Sequence, residues 1–87
     1  MDNLYLSKLK NTIGELLVFN ISFIDSVNNS HTEIFSAYLK EVTDSYIIVE
    51  QININISEDN LVSFNKTERK LFHKKYHIDT NYKKLNH

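Results

Sequence analysis

The apolar positions change their period twice along the chain. Leu6, Leu9 and Ile13 fall at i, i+3 and i+7, one stripe of a short helix that Asp2 can cap and that Gly14, the single glycine, can end in a left-handed conformation. From Leu16 the period drops to two. Leu17, Phe19, Ile21 and Phe23 share one side and Asn20 and Ser22 the other, the pattern of a half-buried strand. The polar stretch Asp25 to His31, DSVNNSH, predicts a hairpin loop, and Phe35, Ala37 and Leu39 then alternate with Ser36, Tyr38 and Lys40 in a second strand. After the turn EVTDS, the run SYIIVEQININI is apolar and β-branched, with Ile52, Ile54 and Ile56 alternating with Asn53 and Asn55. At about 3.3 Å per residue this run is long for one strand, so a bend or bulge is expected near Glu50 and Gln51. Past SEDN, Leu61, Val62 and Phe64 predict a short last strand.

Asn65 followed three residues later by Glu68 has the form of a capping box and predicts a helix from Lys66, with Phe72 and Tyr76 at i, i+4 as its narrow apolar stripe. Beyond Ile78 no period remains and fraying is expected. The fold class expected is mainly β (α+β): a small, strongly bent antiparallel β-barrel of about five strands, with a short N-terminal helix and a C-terminal helix. Residues 1–65 would form the helix and barrel, and residues 66–87 a basic helix and tail.

Two stretches, LKNTIGELLVFNISF and FSAYLKEVTDSYIIVEQ, resemble the Sm-like/SH3-like superfamily of small barrels. In the first, a short helix ends in Ile-Gly and apolar residues follow three, five and seven positions on, at Leu17, Phe19 and Ile21; the second is similar to the family's second and third strands, and NLVSF to its closing strand. The resemblance covers residues 4–65 and implies the barrel and edge-to-edge assembly. Ala37 stands where the family bends its second strand at glycine, Asp44 is followed by Ser45, Tyr46 and Ile47 rather than by the RNA-contacting asparagine, and acidic Ser57 to Asn60 replaces the usual Arg-Gly. The resemblance therefore does not extend to the family's uridine pocket.

Composition narrows the chemistry. A chain of 87 residues is one small domain with a thin core, which oligomerisation would help. Without cysteine it has no disulfide, thiolate nucleophile or cysteine-based metal site. No run of about 18 apolar residues is present, and MDNLYLSKLK lacks the apolar stretch of a secretion signal, so a cytoplasmic protein without a membrane partner is expected. Asn, Ile and Lys, all with A/T-rich codons, supply 30 of the 87 residues, which points to a low-GC bacterium, its phage or a mobile element. The net charge of -1 hides a division: residues 66–87 hold seven Lys/Arg against Glu68 and Asp79, a balance of +5, while residues 1–65 hold three against nine, a balance of -6.

Among candidate sites, His73 and His77 have the i, i+4 spacing of a helical metal pair, but Lys74 and Lys75 between them oppose a dication, so no metal is expected. One glycine cannot build a phosphate-cradling loop, the carboxylates fall mostly in turns, and a small barrel is filled by its own side chains; neither catalysis nor a cofactor is expected. Tyr38 and Tyr46, outside the apolar face, suit a protein interface. Lys66, Arg69, Lys70, Lys74, Lys75 and Tyr76 form the basic, aromatic-interleaved segment that could track a phosphate backbone, nonspecifically because all but one of its cations are lysine. The function expected is a non-catalytic protein–protein interaction or regulatory module, with itself or another protein as partner. Nonspecific RNA or DNA binding through residues 66–87 is the alternative, and a small-ligand-sequestering oligomer a third.

Overall fold

A computed structural model describes residues 3–80. Helix α1, Asn3–Lys10, precedes five strands: β1 Leu16–Ile24, β2 Ser30–Val42, β3 Tyr46–Ile56, β4 Val62–Phe72 and β5 His77–Thr80. They form one antiparallel sheet in the order β4-β3-β2-β1-β5. The sheet is open, where a barrel was expected: β4 and β5 stand at its two edges, and the four-residue β5 pairs only with Phe19 to Ser22 of β1.

The expected C-terminal helix is replaced by strands. β4 runs through Lys66 to Phe72 in unbroken register with β3, from Ile56 opposite Val62 to Tyr46 opposite Phe72. A helix from Lys66 would bury only two apolar side chains and leave the outer backbone groups of Tyr46 to Gln51 without partners. As a strand, the same residues pair those groups and turn Leu71, 1% exposed, into the core. Fraying after Ile78 is corrected in the same way for Asp79 and Thr80, which lie in β5, and buried Ile78 anchors that strand opposite Ile21. The Asp2 cap and residues 81–87 lie outside the described residues.

β2 holds the sheet together because its two halves have different partners. Residues Ser30 to Tyr38 pair with β1, and Ala37 to Val42 pair with Ile47 to Gln51 of β3. The irregularity expected in β3 near Glu50 falls instead in β2, as a bulge between Leu39 and Glu41. Past Gln51, β3 loses β2 as a neighbour, so the rest of β3 and the start of β4 extend as a two-stranded arm, residues 52–66, closed by Ser57 to Leu61.

The core lies on one face. Leu17, Phe19 and Ile21 of β1 meet Phe35, Ala37 and Leu39 of β2, Ile47 and Val49 of β3, Leu71 and Ile78, under Leu6 and Leu9 of α1. Ile13, expected in the helical stripe, is 46% exposed because α1 ends at Lys10; Thr12 is buried in its place, its hydroxyl donating to the Leu9 carbonyl at 2.8 Å. Gly14 then takes φ +93°, which lets its N–H reach the Leu39 carbonyl at 2.8 Å and ties the helix exit to the sheet.

The β1–β2 and β3–β4 hairpin loops are built alike. In the first, the Asp25 carboxylate accepts from the N–H groups of Val27 and Asn29 at 3.0 and 2.9 Å, and Asn28 sits at φ +65°. In the second, the Ser57 hydroxyl oxygen accepts from Asp59 and Leu61, both at 3.2 Å, and Asn60 sits at φ +64°. Each loop thus uses a short side-chain acceptor first and asparagine at the left-handed fourth position.

Candidate functional site

The strand pairing divides the basic segment among three places. Alternate residues of a strand face opposite sides, so Lys66, Glu68, Lys70 and Phe72 lie on the outer face of β4 and Thr67, Arg69 and Leu71 on the inner. Arg69 is already engaged: Nη1 donates to Glu33 at 2.9 Å and to Gln51 at 3.0 Å, and its guanidinium lies 4.9 Å from the centre of the Phe35 ring. It bridges β4, β3 and the diverging half of β2, a positioning role that sets it apart from Lys66 and Lys70.

Lys70 and Tyr46 do come together. The Lys70 ammonium sits 4.5 Å from the Tyr46 ring centre, and Phe72 packs edge-on against Tyr46 at 5.7 Å. Lys74 and Lys75 lie in the turn between β4 and β5. The Lys75 ammonium is 5.5 Å from the centre of the Phe23 ring and 5.2 Å from that of Tyr76, which itself meets Phe23 edge-on at 5.3 Å. Shallow clefts open on either side of this turn, one over Tyr5, His73 and His77 and one over Ser22, Phe23 and Ser30. The turn is held by the His73 N–H donating to the Ser45 carbonyl at 3.0 Å and by its Nε2, 3.1 Å from the Thr43 carbonyl. On β5, Nε2 of His77 is 3.5 Å from Asp79. His73 and His77 thus flank a turn instead of sharing a helix face. Among the described residues no three His, Asp or Glu side chains gather as a metal-ligand set.

Tyr38 stands apart from both clusters, half-buried on the outer face between its neighbours Leu16 and Glu50. Lys66 is exposed opposite Ile52, at the root of the arm.

The sequence pattern suggests that Ile52 to Ile56 with Leu61 to Phe64 form a paired edge for assembly, and in the structure the arm built from them presents an apolar face. Its inner positions are Asn53, Asn55, Ser63 and Asn65, and Asn53 Nδ2 donates to Oγ1 of Thr67, just before its root, at 3.2 Å. Its outer positions are Ile52, Ile54 and Ile56 opposite Lys66, Phe64 and Val62. Ile54, Ile56, Leu61, Val62 and Phe64 are 57–69% exposed. The signal was the parity of the run: Ile47 and Val49 face the core, so the even-numbered isoleucines after Gln51 must face away from it. The unbroken triplet Ile47-Ile48-Val49 concealed that parity. Phe64 and Phe72, at 66% and 45% exposed, likewise lie outside the core.

No helix among the described residues is long and apolar enough to cross a membrane. No protein-family model, curated protein or solved structure matches this chain.

Proposed function

We propose that the chain is a non-catalytic protein–protein interaction module that docks through the outer face of the β3–β4 arm. The observation that carries this reading is the apolar stripe Ile54, Ile56, Val62 and Phe64, laid on two paired strands with its polar side turned the other way. A contiguous exposed apolar patch on a small protein marks a surface that is covered in use. The radius of gyration, 14.6 Å, exceeds the roughly 12 Å of a compact domain of this length, as an arm built to meet a partner requires. The helix followed by a five-stranded antiparallel sheet supports kinship with the Sm-like/SH3-like barrels, and a regulatory or inhibitory role in the cytoplasm of a low-GC bacterium, or in its phage or mobile elements, agrees with the composition.

The test is the size of the native complex. Wild-type chain, purified and in cell extract, is compared by size-exclusion chromatography with light scattering against Phe64→Asp. Wild type should run above its 10.3 kDa monomer mass in at least one setting and the variant at that mass; a wild-type monomer in both settings sinks the reading.

A second reading has its own observation, lysines set against rings in two places, Lys70 on Tyr46 and Lys75 on Phe23 and Tyr76, with Lys74 in the same turn as Lys75. Lysines beside half-buried rings suit nonspecific, salt-sensitive binding to RNA or DNA.

A further inference from the structure

We infer that the partner of the arm is a second copy of this chain, packed face to face and antiparallel about a twofold axis between the Ile54–Phe64 and Ile56–Val62 rungs. This rests on the arm being an interaction surface and adds the identity and geometry of its occupant. The ordering of residues along the arm carries the inference. From root to tip, the outer face reads Lys66 with Ile52, then Phe64 with Ile54, then Val62 with Ile56, and then the acidic loop Glu58 and Asp59. A basic end and an acidic end thus flank an apolar centre. Reversing one arm against another about that axis lays the two apolar rungs of each copy over those of its partner. It also sets Lys66 of each copy against the acidic loop of the other. A twofold interface requires one patch to complement itself, and this stripe does so when turned end for end.

The same axis keeps unfavourable charges out. Glu50 and Glu68, directly opposite each other one rung closer to the sheet, lie beyond the reach of the partner's loop. Centring the axis on the Ile54–Phe64 rung instead would bring them against Glu58 and Asp59. The exposed outer-face side chains Ile54, Ile56, Val62 and Phe64 offer roughly 400 Å² per copy, and the charged ends extend this toward the ~800 Å² per partner of a standard interface. Two-stranded sheets packed in this way stand about 10 Å apart, with their side chains interleaved.

The experiment is sedimentation equilibrium of the full chain over a concentration series, with wild type, Phe64→Asp, Lys66→Glu, Glu58→Lys/Asp59→Lys and the combined charge swap. Wild type should show a monomer–dimer equilibrium. Phe64→Asp should raise the dimer Kd about 100-fold, each single reversal about ten-fold, and the combined swap should restore it to within about two- to three-fold. Circular dichroism confirms that each variant is folded. A purified wild-type monomer that still forms a larger complex in extract overturns this inference while leaving the interaction module standing. A dimer indifferent to Phe64→Asp overturns both the arm as docking surface and its pairing. A dimer sensitive to Phe64→Asp but not rescued by the charge swap overturns the antiparallel arrangement alone. Open-ended growth with concentration overturns the twofold.

Discussion

Asp25 shows how one side chain sets both a loop and a pH dependence. Its pKa is held below the ordinary aspartate range, chiefly by the hydrogen bond with His31, whose Nε2 is 2.8 Å away, and then by the N–H groups of Asn29 and Val27. A depressed carboxylate stabilises the fold above the ordinary value of about 3.9, and that contribution is lost as pH falls through the lowered pKa. Asp25→Asn should therefore weaken the protein at neutral pH and flatten the loss of stability below about pH 4, as followed by urea denaturation across a pH series. A pH-independent difference between the two proteins would refute this. At the second loop, Asn60 at φ +64° tolerates glycine. Asn60→Val should cost about 1–2 kcal/mol through left-handed strain, read as a lower Tm than that of Asn60→Gly. In the core, fully buried Phe19 stacks on Phe35 at 5.6 Å. Phe19→Ala should cost about 3–5 kcal/mol in chemical denaturation, enough to unfold much of a domain this small.

At the scale of elements, β3 combines two environments in one unbroken strand. Up to Gln51 it lies between β2 and β4; beyond it, only β4 remains, and the apolar residues face outward. Native-state hydrogen exchange should therefore be slow at the paired amides of Ile47 to Val49 and faster at those of Ile52 to Ile56. Equal protection in dilute, monomeric protein would contradict the arm as drawn. The existence and alternation of β1, β2 and β3 were legible in the sequence because period-two patterning and turn residues are local signals. The strand character of Lys66 to Phe72 was not. The capping-box form of Asn65 and Glu68 is a local helix signal, and the need of β3's outer edge for a partner overrode it. The β2 bulge was displaced for a related reason: β2, which changes partners along its length, absorbs the mismatch instead of β3, whose register with β4 is unbroken.

For the whole molecule, the two charged regions lie far apart, Glu58 and Asp59 at the arm's tip and Lys74 and Lys75 beyond the other end of β4. If the basic cluster binds nucleic acid, neutralising Lys70, Lys74 and Lys75 to Gln should abolish it and lower the salt slope by about 2 to 3 units in fluorescence anisotropy. Arg69→Met should instead cost about 1 kcal/mol of stability and leave any such binding unchanged, because its guanidinium is bound to Glu33 and Gln51. Binding that survives the lysine changes removes the cluster from consideration. The sequence alone determined that the chain is mainly β with a short leading helix, where its first hairpin turns, and that its charge is divided, because these follow from neighbours within a few residues. Tertiary structure decided that the basic segment is strand, that Arg69 points inward, and that the isoleucines of β3 change from core to surface at Gln51. Those outcomes depend on which strand ends beside which, and that is settled only when distant segments compete for the same backbone hydrogen bonds.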